Sequence, residues 1–128
     1  MMRHAGAIVA ILLTFMALPL AHHSFAAHYF EQQMVTVTGA IVEFDYRAPH
    51  VWLKINGRDE AGQNQIFSAE WSNPNRLARD GISKATLKIG DIVVVAGSPG
   101  RNAEDHRLHL KAIQRPADGW EWPEHRRR

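Results

Sequence analysis

The sequence has 128 residues, a length typical of one domain. It contains no cysteine, which excludes disulfide bonds, thiolate metal sites and a cysteine nucleophile. Lysine and arginine number 15 and the acidic residues 13, so the formal net charge is +2 and the chain lacks the basic surface expected of a nucleic-acid-binding protein.

The first 21 residues are predicted to be a secretory signal peptide. Arg3 precedes an apolar run at residues 5–20, AGAIVAILLTFMALPL, which contains one proline near its end. A membrane span needs about 20 apolar residues, so a retained anchor is the less favoured alternative. Cleavage after Ala21 is favoured over cleavage after Ala26, and it would make His22 the N-terminal residue. We therefore expect a periplasmic or secreted protein that contacts the membrane only through its signal peptide before cleavage.

A His-rich lead at residues 22–32 precedes the first regular pattern. Residues 34–46, MVTVTGAIVEFDY, are rich in β-branched and aromatic side chains and predict a long strand. Its apolar face changes near Gly39 and Ala40, and a glycine at such a position is typical of a bulge or a bend. The pattern predicts one bent strand that faces the core twice.

Two further strands are predicted before any helix. Residues 50–55, HVWLKI, alternate polar and apolar side chains. The polar run that begins at Asn56 and Gly57 and ends at Asn64 predicts a hairpin loop. Residues 65–71, QIFSAEW, then predict the third strand.

A short helix is predicted after the third strand. Asn73 and Pro74 indicate the start of this helix, Gly81 indicates its end, and Leu77 is expected to dock it on the core. The next segment, residues 91–98 (DIVVVAGS), is apolar on both faces. This pattern predicts a central strand that is buried on both sides.

The last predicted strand spans residues 106–114, HRLHLKAIQ. Its regular alternation places Leu108, Leu110 and Ala112 on one face and His109, Lys111 and Ile113 on the other. His106 and His109 then have opposite orientations, so they cannot form one site by themselves. Residues 116–128 are predicted to be an irregular tail in which Trp120 and Trp122 pack at one end of the barrel.

This order of elements predicts the fold. Three strands, a short helix and two strands form the element order of the OB-fold, a Greek-key barrel. We therefore expect an all-β domain with one short helix, folded as a small five-stranded OB-like β-barrel at residues 33–115. Another small β-barrel or a β-sandwich is the alternative, whereas strands without long intervening helices exclude a parallel α/β sheet.

Histidine is the residue type that most suggests a specific site, with eight in the chain. After the favoured cleavage, the α-amine and Nδ1 of His22 can chelate one metal ion. A further imidazole from His23, His28 or His50 would complete a nitrogen set that suits Cu(II). The alternative is a solvated lead that binds no metal.

A candidate ligand-binding face lies on the second predicted strand. His50, Trp52 and Lys54 share one side of it, and an aromatic ring beside a basic residue can stack a planar ligand. The second and third strands carry the usual binding face of an OB-fold. The alternative is that Trp52 packs against the core or at the end of the barrel.

No catalytic residues are predicted. The chain has neither a glycine-rich phosphate loop nor the motif of a serine nucleophile. Glu43 and Asp45 share a strand face and Glu70 lies on another strand, but solvated strand faces explain these carboxylates better than acid–base chemistry does. A small hydrolase or an enzyme subunit is therefore the weakest of the functional hypotheses.

Four segments together resemble a family of exported bacterial proteins defined only as a domain of unknown function. The family carries Ala-His-His-Ser-Phe after its signal peptide, which matches residues 21–25, and an Asn-Pro-His segment, which matches residues 48–50 except for Ala48. Residues 74–81 and 87–97 match its Pro-Asn-x-Leu-x-Arg-x-Gly and Leu-x-x-Gly-Asp-x-Val-x-Val-x-Gly segments. The resemblance implies an exported small β-barrel and supplies no activity.

The sequence therefore favours an exported, non-catalytic binding or accessory module. The expected partner is a periplasmic protein or a small ligand, not a nucleic acid, and no cofactor is predicted under this hypothesis. The alternative from another class is a copper-binding protein that uses the histidines near its N-terminus.

Overall fold

The computed structural model describes residues 25–124. The predicted signal peptide, His22, His23 and residues 125–128 lie outside the described residues. Within residues 25–124, no helix has the length and hydrophobicity needed to cross a membrane.

The described chain contains six strands and one short α-helix. They are β1 (Val35–Asp45), β2 (Trp52–Arg58), β3 (Asn64–Glu70), α1 (Pro74–Arg79), β4 (Ile92–Pro99), β5 (Arg107–Arg115) and β6 (Trp120–Trp122). The sheet order is β3-β2-β1-β4-β5-β6, and a parallel pairing of β3 with β5 closes β1 to β5 into a barrel. The helix lies between β3 and β4, so the predicted OB-like barrel is confirmed.

The core fills the barrel with apolar side chains from every barrel strand and from α1. Val93 and Val95 of β4 are fully buried, but Ile92 is 53% exposed. The prediction that this strand is buried on both faces was therefore wrong, because a barrel strand has only one face on the core. Buried members of the core include Val37, Ile41, Leu53, Ile55, Phe67, Trp71, Leu77, Leu108, Leu110 and Ile113.

The bend in β1 lies slightly beyond its predicted place. Ile41 pairs with Ile55 and Glu43 pairs with Lys54, so Val42 is the extra residue of a β-bulge. Gly39 has a different role, because a Cβ there would collide with the backbone of the neighbouring strand β2. Gly39 therefore allows β1 and β2 to pack closely, and it does not cause the bend.

Strand β2 is longer than the sequence indicated. Gly57 faces Gly39 in the ladder, and pairing continues to Arg58, so the prediction that Asn56 and Gly57 open a loop was wrong. The turn lies further along, where the Gly62 N–H donates to the Asp59 carbonyl at 3.0 Å. Two facing glycines mark a close approach of the strands here, although the same dipeptide often marks a hairpin turn.

Helix α1 follows the sequence signals. The Asn73 side chain accepts a hydrogen bond from the Arg76 N–H at 2.9 Å, and Pro74 begins the helix. Gly81 follows the helix with a positive φ of 81°, and Leu77 is fully buried. Its predicted start, end and docking residue are confirmed.

A bulge in β5 reverses the predicted alternation. Gly97 pairs with Leu110 and Ala96 pairs with Ala112, which leaves Lys111 as the extra residue. After this bulge Ile113 points into the core and is fully buried, whereas Ala112 is only half-buried. The predicted regular alternation, which put Ile113 on the face opposite Leu108 and Leu110, was therefore wrong, because all three are buried.

The segment after residue 115 is not wholly irregular. Strand β6 pairs with the end of β5, with Trp122 opposite Ile113. The Trp122 ring meets the buried Trp71 ring edge-on, with a centroid distance of 5.0 Å. The prediction of an irregular tail was wrong for this strand, and the predicted packing of Trp120 and Trp122 against the barrel is confirmed.

Candidate functional site

The segment before β1 is fastened to the barrel. Phe25–Ala27 forms a 3₁₀ turn, and Tyr29 is 1% exposed and forms an isolated bridge with Gly100. The Phe30 N–H donates to the Pro99 carbonyl at 2.9 Å. The described part of the predicted lead, residues 25–32, is therefore packed on the barrel and is not fully solvated.

Glu70 is the centre of a polar cluster at one end of the barrel. Its Oε2 accepts a hydrogen bond from the Tyr29 hydroxyl at 2.5 Å, and its Oε1 lies 2.7 Å from His50 Nδ1. Arg107 Nη2 lies 3.5 Å from Oε2. The Glu70 side chain is only 13% exposed, so these partners replace the water that its carboxylate would otherwise bind.

The topology explains why these residues meet. Trp52 on β2 pairs with Glu70 on β3, and Glu70 pairs in the parallel ladder with His109 on β5. The three residues are thus in register across three neighbouring strands. His50 lies just before β2, in the β1–β2 loop, and its side chain reaches the same carboxylate.

A second histidine–carboxylate pair lies beside the first. His109 Nδ1 lies 2.8 Å from Glu31 Oε1, and Lys111 Nζ lies 3.1 Å from Glu31 Oε2. Burial acts to raise the pKa of Glu31, but the hydrogen bonds from His109 and Lys111 outweigh it, so the pKa is lowered. Glu31 is therefore ionised at neutral pH and fixes the orientation of the His109 ring.

Aromatic rings connect the two pairs. The Phe25 ring stacks on His109 with a centroid distance of 3.7 Å and on His50 with a distance of 5.3 Å. Burial, and then the hydrogen bond to Glu70, raises the pKa of the Tyr29 hydroxyl far above its usual range. Tyr29 therefore keeps its proton and remains a donor to Glu70.

Arg107 covers the aromatic side of the cluster. Its guanidinium carbon lies 4.8 Å from the centroid of the Trp52 ring and 5.8 Å from that of Tyr29. Its Nε is buried and has no hydrogen-bond partner among residues 25–124. We call this cluster the Glu70 face; it consists of Phe25, Tyr29, His50, Trp52, Glu70, Arg107 and His109.

The structure brings together only part of the predicted site. His50 and Trp52 belong to the Glu70 face, and Trp52 is half-buried rather than part of the core. Lys54 is instead paired with Glu43 at 2.8 Å, on the exposed surface of the barrel. His28 is exposed, and no hydrogen bond or ring contact joins it to His50.

Within the described range, no three histidine or acidic side chains form a group that could hold a metal ion. His22 and His23, the other two predicted copper ligands, lie outside that range. Of the two predicted copper ligands that the structure describes, His50 belongs to the Glu70 face and His28 does not.

Sequence reasoning missed most of the Glu70 face. Phe25 belongs to the Ala-His-His-Ser-Phe segment, and this segment was the sequence feature that could have indicated its role. Tyr29, Glu31 and Arg107 carry no motif, and His109 was set aside because its strand neighbour His106 points the other way. His106 does point elsewhere, since its ring meets Phe67 edge-on at 5.9 Å.

A small cavity adjoins the Glu70 face. It has a volume of about 160 Å³ and lies between the β4–β5 loop and the segment before β1. His28, Arg101, Asn102, Asp105 and Arg107 contribute its polar lining. Arg107 is therefore shared between the cavity and the Glu70 face.

Comparison with known proteins gives a family and one solved structure. No curated protein matches the sequence. The chain is similar in structure to the mitochondrial single-stranded DNA binding protein Rim1 of S. cerevisiae, with 17% sequence identity and a TM-score of 0.47 over 64% of this chain and 91% of that chain. A model of a family of unknown function, DUF6152, matches residues 10–109. The chain therefore belongs to the DUF6152 family, as its resemblance to a domain of unknown function predicted.

Proposed function

We propose that this chain is an exported, non-catalytic binding module that holds its ligand on the Glu70 face. The observation that carries this proposal is the cluster itself, in which Arg107, Trp52 and His50 surround one carboxylate at the barrel end. In OB-folds the ligand commonly lies on strands 2 and 3 and on the β1–β2 and β4–β5 loops. His50 is on the first of these loops, and Arg107 directly follows the second.

A binding role is favoured over catalysis because the carboxylate of Glu70 is already engaged. His50 contacts one of its oxygens, and Tyr29 and Arg107 contact the other. A carboxylate held in this way orients its neighbours and is poorly placed to exchange protons with a substrate. The rigid aromatic and guanidinium surfaces around it suit recognition.

The polar balance favours a small ligand or a protein over nucleic acid. Without Arg3 of the predicted signal peptide, 14 basic residues oppose 13 acidic ones, and three of the basic residues are the terminal arginines. Glu31 and Glu70 place negative charge within or beside the proposed face. These carboxylates would repel a polyanion, whereas a ligand with a single charged group could bind without lying next to them.

Export is supported by the sequence of residues 1–21. Arg3 and the apolar run at residues 5–20 have the layout of a signal peptide. The proposed location is the periplasm or the medium. Fractionation of cells that express the untagged chain tests this directly; recovery of the full-length chain in the cytoplasm would contradict it.

Native mass spectrometry tests the binding role. The exported protein is incubated with periplasmic extract, desalted, and weighed under native and denaturing conditions. We expect wild type to retain an additional mass and Trp52→Ala to lose it. Ile89→Ala is the matched control, because Ile89 is 73% exposed and does not belong to the Glu70 face. Absence of any additional mass in wild type, or equal retention by Trp52→Ala, would overturn the proposal.

The second candidate function is binding of Cu(II). The favouring observation is that Glu70 holds His50 Nδ1 and leaves Nε2 without a hydrogen-bond partner among the described residues. Metal-ligating histidines are commonly oriented by a carboxylate in this way. After cleavage at Ala21, His22 and His23 would supply further nitrogen ligands, and His28 is the remaining predicted one.

The mass of the exported chain, before and after one equivalent of Cu(II), tests this candidate. Copper binding predicts a chain that begins at His22 and retains one copper through buffer exchange. His50→Ala should lose this copper. His106→Asn is the control, because asparagine tolerates the positive φ of 45° at this position. A chain that begins elsewhere, or one that sheds copper at once, would exclude the shared site.

A further inference from the structure

We propose that the cavity beside the Glu70 face binds a single oxyanion group, a phosphate or carboxylate borne by the ligand. This inference rests on the proposed binding role and names the chemistry of its ligand. The cavity lies between the β4–β5 loop and the segment before β1, and two arginines, Arg101 and Arg107, line it. Planar guanidinium groups bind oxyanions with pairs of parallel hydrogen bonds.

Arg107 has donors that the protein does not use. Its Nε is buried without a partner in the described chain, and its ion pair with Glu70 is long, at 3.5 Å. Glu70 is meanwhile closer to Tyr29 and His50. The Arg107 side chain is 36% exposed although its Nε is buried, so an oxyanion in the cavity would bind the terminal nitrogens of this guanidinium rather than Nε.

Arg101 is held in place with its terminal nitrogens available. Its Nε donates to the Ala26 carbonyl at 2.9 Å, and its guanidinium carbon lies 4.6 Å from the centroid of the Phe30 ring. These contacts fix the side chain and leave both terminal nitrogens without a hydrogen-bond partner among residues 25–124. A cation fixed in this way loses little entropy when it binds a ligand.

The backbone around the cavity is also fixed. The Arg101 N–H donates to the His28 carbonyl at 2.8 Å, and the Gly100 N–H donates to the Arg107 carbonyl at 2.8 Å. The Asn102 side-chain oxygen accepts from the Glu104 N–H at 3.2 Å, which leaves its amide group as a further donor. The cavity is therefore already shaped for a small group.

Size and charge restrict the ligand to one such group. A volume of about 160 Å³ is below the roughly 300–1,000 Å³ of pockets that enclose a whole small molecule. Asp105 is the acidic residue in the lining, and it opposes a second negative charge. The rest of the ligand would extend from the cavity towards the Glu70 face, since Arg107 belongs to both.

Titration of the exported full-length chain at constant ionic strength tests the inference. The probes are inorganic phosphate and acetate, and the readouts are the side-chain Nε–H signals of Arg101 and Arg107 in NMR spectra. We expect saturable shifts in wild type. Arg107→Lys keeps the charge and loses the planar fork, and Arg101→Gln loses the charge. Each should weaken binding by about tenfold or more.

Arg79→Gln is the matched control, because Arg79 is exposed in the last turn of α1 and does not line the cavity. Its affinity for the probes should equal that of wild type. A loss of binding in Arg101→Gln cannot be attributed to disruption of the Glu70 face, because Arg101 contacts neither Glu70 nor Trp52. Shifts that do not saturate, or equal affinity in both cavity variants and wild type, would overturn the inference.

Two further arms identify the source of the oxyanion. Binding to free phosphate but not to phosphatidylglycerol vesicles would indicate a soluble ligand; binding to these vesicles and not to phosphatidylcholine vesicles would indicate a lipid headgroup. Either result supports an oxyanion site. If wild type retains a ligand in native mass spectrometry and binds no oxyanion probe, this inference fails and the binding role stands.

Discussion

The two ends of β5 each carry an arginine, and the protein uses the two residues in opposite ways. Arg115, at the end of the strand, donates from all three of its nitrogens. Nη1 donates to the Thr86 carbonyl at 2.7 Å and to Asp91 at 2.9 Å, and Nη2 donates to Asp118 at 2.9 Å. Its Nε also donates to Asp118, at 3.1 Å. Arg115 thus joins the loop before β4 to the turn after β5.

Arg107, at the start of the same strand, is poorly satisfied. Its one ion pair is with Glu70 at 3.5 Å, and its buried Nε has no partner in the described chain. Both guanidiniums lie over a tryptophan, Arg107 over Trp52 at 4.8 Å and Arg115 over Trp120 at 5.5 Å. Aromatic contact is therefore common to both ends, and only the hydrogen bonding differs.

This difference separates a structural arginine from one available to a ligand. An arginine with all of its nitrogens engaged stabilises the folded chain. An arginine with a buried, unpartnered donor costs stability, and such a cost is often found where a protein binds something. On this argument the Arg107 end of β5 is the functional end, and the Arg115 end holds the barrel together.

The largest effect is expected from the matched substitutions Arg115→Met and Arg107→Met. Arg115→Met removes the hydrogen bonds that Asp91, Asp118 and the Thr86 carbonyl accept from this side chain, and we expect the free energy of unfolding to fall by about 2 kcal/mol. Arg107→Met removes a weak ion pair together with an unsatisfied donor, so the change should stay within about 0.5 kcal/mol of wild type. Urea unfolding measures both values; equal losses would remove the distinction between the two ends.

A smaller effect is expected from Tyr29→Phe, which removes one donor to Glu70. His50 and Arg107 remain near this carboxylate, so the free energy of unfolding should fall by about 1 kcal/mol. Tyr46→Phe is the matched change away from the Glu70 face, because the Tyr46 hydroxyl donates to the Ile82 carbonyl at 2.7 Å. We expect a similar loss of stability in both, measured by urea unfolding.

Ligand retention in native mass spectrometry then distinguishes the two tyrosines. Tyr29→Phe should weaken retention, because Glu70 is less firmly held beside Arg107, whereas Tyr46→Phe should retain the ligand as wild type does. If both variants retain it equally, Tyr29 serves only the stability of the fold.

The sequence could predict features that depend on neighbouring residues, but not those that depend on the pairing of strands. Apolar patterns over five to seven residues are local, and they predicted the five barrel strands, while Asn73, Pro74 and Gly81 predicted the helix. The bulge at Lys111 was not visible, and the bulge at Val42 was expected slightly earlier, near Gly39 and Ala40, because a bulge is defined by the register with a partner strand. That is why Ile113 was assigned to the wrong face.

The Glu70 face was harder to predict because it depends on pairing between distant strands. Glu70 and His109 meet through the parallel contact of β3 with β5, and Tyr29 reaches Glu70 across 41 positions. No local pattern carries such contacts. His50 and Trp52, predicted from the usual binding face of OB-folds, both belong to the Glu70 face, whereas Lys54 is paired with Glu43 on the neighbouring strand.

The smallest expected effect is a difference in acid sensitivity between the two arginine variants. The backbone N–H of Lys88, and then Arg115, lowers the pKa of Asp91. A carboxyl whose pKa is lower when folded adds stability that is complete above its unfolded pKa of about 3.9 and is lost as the pH falls through the folded value. Wild type should therefore lose stability as the pH falls below about 4.

Arg115→Met removes one of these two causes and should flatten the fall, without abolishing it, because the Lys88 N–H still donates to Asp91 at 3.0 Å. Arg107→Met does not touch Asp91, so it should keep the wild-type slope. Urea unfolding of the three proteins between neutral pH and pH about 3 measures the slopes. Flattening in Arg107→Met instead would place the acid-sensitive ion pair at the Glu70 end and reverse the roles assigned to the two arginines.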